Sequence, residues 1–128
     1  MNILVFNTIA NNITSAIKQK CDLNLSQTRI LLYFDQHHNH ELTIGKLATE
    51  LGIALSTLSR QLHQNQTETL IAIGHSDRDS SKLISLNKQG LQKVNELKQA
   101  LVEIENSLFS KLSNPETAML DEVLTKLL

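Results

Sequence analysis

The sequence predicts a mainly α (α+β) fold: a winged helix-turn-helix lobe with a β-hairpin wing, flanked by N- and C-terminal helices. Three observations predict it. Between Thr43 and Thr67 two short amphipathic patterns meet at Gly52. From Leu70 to Leu86 the apolar period drops to that of strands, around the turn-rich G-H-S-D-R-D-S-S. From Lys88 the period becomes helical again, and Leu91, Val94, Leu97, Leu101, Ile104, Leu108 and Leu112 sustain it for about seven turns.

The elements follow in order. Phe6, Ile9, Ala10, Ile13 and Ile17 recur at steps of three and four, an amphipathic helix from Asn2 to about Lys20. Asp22 to Ser26 is a break, with Ser26 as the expected cap of a second helix carrying Ile30, Leu31 and Phe34. That helix gives way to the polar D-Q-H-H-N-H. Leu42 and Ile44 alternate with polar residues, enough for a strand of two or three residues. Leu47, Ala48 and Leu51 then share one helix face, Gly52 stops that helix, and Ile53 plugs the junction. In the next helix Leu55, Leu58 and Leu62 are expected to pack inward. After the hairpin and the long helix, S-N-P-E ends one helix and begins another, with Asn114 expected as cap and Pro115 at the first position. The last helix carries Met119, Leu120, Val123, Leu124, Leu127 and Leu128.

The outward face of the helix after Gly52 carries the chemistry. At 100° per residue it presents Ser56, Thr57, Arg60, Gln64 and Thr67, flanked by Ser59 and His63. All are hydrogen-bond donors, and no carboxylate falls between Glu50 and Glu68. A polyanionic major groove calls for this surface: a cation for phosphate or guanine, with short hydroxyls and amides around it. Solvation alone also accounts for such a face.

Composition sets limits. The 128 residues suffice for one core and are too few for two ordinary domains. Aromatic residues are 3% of the chain, so Leu and Ile must build the interior. One cysteine excludes an internal disulfide framework and suits a reducing compartment. No run has the length of a membrane span, and M-N-I-L-V-F-N-T-I-A lacks the marks of a signal peptide, so a cytoplasmic protein is expected. The net charge of −1 does not advertise a nucleic-acid partner. No glycine-rich phosphate loop, nucleophile elbow or metal-hydrolase spacing is present, and no enzyme is expected.

The order and spacing of these pieces resemble the MarR family of bacterial winged-helix transcription regulators over nearly the whole chain. The matching segments are L-N-L-S-Q-T-R-I-L-L-Y-F, L-T-I-G-K-L-A-T-E-L-G-I, S-T-L-S-R, D-R-D and L-I-S-L-N-K-Q-G. The resemblance implies one domain over 1–128. Residues 26–87 form its DNA-binding lobe, and residues 1–20 and 88–128 are dimerisation helices. It further implies a homodimer on double-stranded DNA with a pseudo-palindromic operator. The recognition helices lie in successive major grooves and the wings at flanking minor grooves. DNA contacts are then expected from Ser56, Thr57, Ser59, Arg60, His63 and Gln64 of the recognition helix, and from Arg78, Ser80 and Lys82 of the wing. A repressor relieved by a small-molecule effector is implied, the effector sitting between the dimerisation helices and the lobes. Phe6, Tyr33, Phe34 and Phe109 are candidates to line that crevice. No cofactor is implied.

Departures from the family pattern weaken the expected grip. The recognition-helix cap, usually Ser or Thr, is Ala54; Gln61 replaces a larger apolar residue, and Ile73 a usual arginine. The wing's customary Asp-x-Arg is here Asp79, Ser80, Ser81. These departures and the near-neutral charge motivate an alternative: a winged-helix dimer with weakened DNA binding, acting as a protein-interaction or antirepressor module. Two other constellations read mainly as ordinary structure. His37, His38 and His40 are a dense set of metal-ligand types, but neighbours in one loop do not converge without ligands from elsewhere. Cys21 lies later in the first helix than the family's redox-sensing cysteines, with only Lys18 and Lys20 near in sequence to activate a thiol.

Overall fold

The computed structural model describes residues 1–78 and 81–128. Its elements are α1 (Val5–Cys21), α2 (Leu25–Gln36), β1 (Leu42–Thr43), α3 (Ile44–Leu51), α4 (Leu55–Leu62), α5 (Asn65–Glu68), β2 (Ile71–His75), β3 (Lys82–Leu86), α6 (Lys88–Leu108) and α7 (Asn114–Leu127). The three strands form an antiparallel sheet in the order β1-β3-β2. The hairpin pairs Ile71 with Leu86 and His75 with Lys82, while Leu42 of β1 pairs with Ile84. The mainly helical winged fold expected from the sequence is present.

Two helix caps differ from expectation. Asn24, not Ser26, caps α2: its side chain accepts from the Gln27 backbone N–H, and the Gln27 side chain accepts from Asn24 N–H in return. Ser113, not Asn114, caps α7, with the same reciprocal pair to Glu116. Both are capping boxes, N-x-x-Q and S-x-x-E, in which a side chain three residues on returns the favour to the cap. Ala54 makes no side-chain cap bond for α4. The long helix ends at Leu108 rather than Leu112, where the Ser110 hydroxyl donates to the Ser107 carbonyl.

One buried cluster holds the chain together. Phe34, Leu47, Leu58 and Ile84 of the lobe join Ile17 and Cys21 of α1 and Val94, Leu97, Ala100 and Ile104 of α6. Leu47 and Ala48 are buried, and Gly52 adopts φ 68, the left-handed cap that its lack of a Cβ permits. Leu55 breaks the expected pattern. It shares the inward phase of Leu58 and Leu62, yet at the first position of α4 it lies beyond the core and is 55% exposed.

The lobe is clasped to α6 by Asn87. Its side chain accepts from Gly90 N–H to start the helix and donates to the carbonyls of Thr69 and Ile71. Gly90 passes so close that an added Cβ would overlap the Leu70 carbonyl oxygen and lie 3.0 Å from the Leu86 Cβ. Gly90→Ala is therefore expected to destabilise the protein by about 1–3 kcal/mol despite alanine's helix preference. Urea unfolding measures it; a variant at least as stable as the parent would mean that α6 is not seated on this clasp.

Candidate nucleic-acid interface

The donor face of α4 is displayed as its period requires. Leu58 and Leu62 are buried, Ser56 and Arg60 are exposed, and Thr57 and Ser59 are half-buried along its edge. Arg60 makes no ion pair or hydrogen bond among the described residues, so its guanidinium is available to an incoming anion. His63 is the C-cap of α4, and Gln64 lies past the helix as the N-cap of α5. Both remain exposed.

Thr67 is the clear correction. The chain does not run on as one helix: α4 stops at Leu62 and α5 starts at Asn65, so the phase counted from Ser56 is lost. Thr67 is 3% exposed and accepts a hydrogen bond from Gln27 Nε2 at 3.2 Å. It is an interior contact, not part of the outward face.

Glu68 enters the picture through the same break. Its Oε1 lies 3.2 Å from His63 Nδ1, which puts a carboxylate at the end of the donor face. Ser59, His63, Glu68, Ile73 and Lys82 line a crevice of about 180 Å³ between α4 and the wing. Sequence spacing gave no sign of it, because the contact crosses a helix boundary. On the wing, Arg78 and Lys82 are exposed. The Arg78 backbone N–H donates to the Ser76 hydroxyl at 3.3 Å. Asp79 and the expected contact Ser80 lie outside the described residues.

Ion pairing divides the chain unevenly. Lys18, Lys20, Lys93, Lys98 and Lys126, all on α1, α6 and α7, each face a carboxylate. Arg29, Lys46, Arg60, Arg78 and Lys82, the five cations of residues 26–87, have none among the described residues. The same segment holds six carboxylates in sequence, so the lobe is not basic overall. Its cations are uncompensated rather than numerous. Short-range placement, more than long-range field, would then carry attraction to a polyanion.

The other candidates are dispersed. His37 stacks on Tyr33 with ring centroids 4.0 Å apart, and the His38 and His40 rings are 6.3 Å apart. Among the described residues no three His, Cys, Asp or Glu side chains group as metal ligands. Cys21 is 2% exposed, and burial, with Glu96 next, pushes its thiol above the ordinary value. An oxidant-sensing thiolate needs the reverse. Phe34 is fully buried in the core with Tyr33 edge-on against it, while Phe6 is exposed on α1 and Phe109 caps α6. Among the described residues no helix is long and apolar enough to cross a membrane.

No family model matches the chain, and no curated protein does. Solved structures do. MepR of Staphylococcus aureus in complex with DNA is 26% identical, with 99% of this chain and 94% of that one covered at a TM-score of 0.77. A mutant MarR from E. coli complexed with operator DNA is 18% identical, with 97% and 91% covered and a TM-score of 0.79. YusO from Bacillus subtilis is 19% identical, with 96% and 86% covered and a TM-score of 0.75. MepR is described as a transcription regulator of a multidrug efflux pump, and this chain has the winged-helix fold of the MarR family.

Proposed function

We propose that this chain is a DNA-binding transcription regulator that acts as a homodimer. The observation that carries the reading is the outward face of α4, where Arg60, among the described residues, stands uncompensated beside Ser56, Thr57 and Ser59. Lys82 lies across the crevice on the wing. The likeness to a MepR–DNA complex over 99% of the chain supports the same reading. Ser56, Thr57, Ser59 and Arg60 address the major groove, with His63 and Gln64 at its edge; Arg78 and Lys82 address the flanking backbone or minor groove. In the finer reading the protein is a repressor, and a small molecule seated between the dimerisation helices and the lobe shifts dimers toward a DNA-incompetent spacing.

Exposed apolar surface supports the dimer. Val5, Phe6 and Ile9 of α1, Leu108 of α6, and Met119, Val123, Leu124 and Leu127 of α7 are all at least 37% exposed. Helix α7 buries no residue in the single chain. A short helix gains most of its stability from packing an apolar face, so a second copy is the natural cover. Residues 1–20 and 88–128 are then the dimerisation region, and residues 26–87 the DNA-binding lobe.

Selection from a random duplex pool with purified protein, followed by a salt titration, tests the function. A regulator enriches a two-fold-related site and loses affinity steeply with salt. The excess of carboxylates over cations in the lobe, together with Glu68 beside His63, favours one rival, a protein-interaction or antirepressor module. That rival enriches nothing and binds duplex weakly at every salt concentration.

A further inference from the structure

Three side-chain hydrogen bonds join the corner between α1 and α2 to the short helix behind α4. Gln27 Nε2 donates to Thr67 Oγ1 at 3.2 Å, Gln66 Nε2 donates to Asp22 Oδ2 at 3.0 Å, and Asn24 Nδ2 donates to Gln64 Oε1 at 3.5 Å. The outer two are exposed, where water replaces a lost partner at little cost. The first is different. Gln27 and Thr67 are each 3% exposed, and a buried amide and hydroxyl depend on each other for a partner.

The Gln27 amide is committed at both ends. Its Oε1 accepts from Asn24 N–H at 2.8 Å, and the Asn24 side chain accepts from Gln27 N–H at 2.9 Å, so the α2 cap holds the side chain in place. Its Nε2 is then free to reach only forward, to α5. On the other side, the corner is anchored to the helices proposed to dimerise. Ile17 and Cys21 of α1 are buried in the common core, the Cys21 thiol faces the Glu96 carbonyl at 3.9 Å, and Lys20 pairs with Glu103 of α6 at 2.9 Å. At the far end only His63 and Gln64 separate α5 from α4.

We infer that Gln27 is a positioning residue that ties the α1–α6 pair to the C-terminal end of α4 and so sets the angle of the donor face. The inference rests on the DNA-binding reading above. A dimer must hold two recognition helices at one separation to fit successive major grooves. The core packing of α4 through Leu58 and Leu62 resists its withdrawal but leaves rotation about that contact to be fixed by something directional. The buried Gln27–Thr67 bond supplies that direction. Displacement of α1 relative to α6 either breaks this bond or carries α5 with it, which moves the exposed side chains of His63 and Gln64.

Thr67→Val removes the hydroxyl with little change of shape, and Thr67→Ser restores it. In hydrogen exchange of the full-length protein, Thr67→Val should speed the amides of residues 58–68 on the order of tenfold, as expected for stranding a buried donor, and leave residues 97–104 of α6 unchanged. In duplex selection it should broaden the accepted half-site spacing by about one base pair or more, while affinity for a single half-site stays within about threefold. Thr67→Ser should return both readouts to the parent values. Unchanged exchange and spacing overturn the inference. So does an equal loss of affinity at every spacing in parallel with thermal stability, which marks a structural role alone. If the parent protein selects no DNA, the proposed function fails by itself, and the exchange measurement decides whether the tie exists.

Discussion

In the proposed dimer, Arg60→Ala is expected to lower affinity for the selected duplex by roughly 30-fold to 20,000-fold. The estimate takes about 1–3 kcal/mol for each lost guanidinium contact, counted once per recognition helix. The slope of log affinity against log salt should flatten by about two, one phosphate-neutralising cation for each subunit. Arg60 is exposed and has no partner to strand among the described residues, so the melting temperature should not move with it. Arg60→Lys should recover part of the affinity and little base preference, since an ammonium keeps the charge and loses the planar fork. Competitive electrophoretic shifts at two salt concentrations measure both quantities. An alanine variant that binds like the parent would remove α4 from the contact surface.

In the proposed dimer, Met119→Glu combined with Val123→Glu is expected to separate the protomers. The two residues lie four apart on α7, are 58% and 44% exposed in the single chain, and recur once per copy in a two-fold assembly. Four carboxylates would then meet in the proposed apolar interface. At a few kcal/mol for each such burial, the dimer dissociation constant rises by roughly a thousandfold or more. Sedimentation equilibrium at micromolar concentration should report monomers. Affinity for a two-half-site duplex should fall toward that for one half-site, because the second contact is no longer tethered. A variant that remains dimeric would place the interface away from this stripe of α7.

The stretches that sequence reading places correctly are those whose physics is local. The helix stop at Gly52, the burial of Leu47, Ala48, Leu58 and Leu62, and the change of period between Leu70 and Leu86 each depend on residues within a few positions of one another. The caps at Asn24 and Ser113 were equally local. N-x-x-Q and S-x-x-E mark them, whereas Ser26 and Asn114 have Arg29 and Thr117 three residues on and cannot form the reciprocal pair. Leu55 shows the limit of a periodicity argument. The pattern gives the direction of a side chain but not whether anything stands opposite it.

Thr67 and Glu68 show a second limit. A face drawn on a helical wheel is valid only while the helix lasts, and the break between Leu62 and Asn65 turned Thr67, expected on the outward face, inward and brought a carboxylate beside His63. The balance of charge behaves likewise. Composition counts cations and carboxylates, while only the fold shows that Lys18, Lys20, Lys93, Lys98 and Lys126 each face a carboxylate and that, among the described residues, the cations of the lobe do not.

By itself the sequence determined the fold, the order of its elements apart from the short α5, and the side of α4 that carries Arg60, because apolar period, glycine and turn chemistry act over a few residues. Only the tertiary structure decided which polar groups meet across long separations. Gln27 reaching Thr67, and Asn87 clasping Thr69 and Ile71, arise from packing. Such contacts join segments that no periodicity relates, and they exist only once the core has brought the chain together.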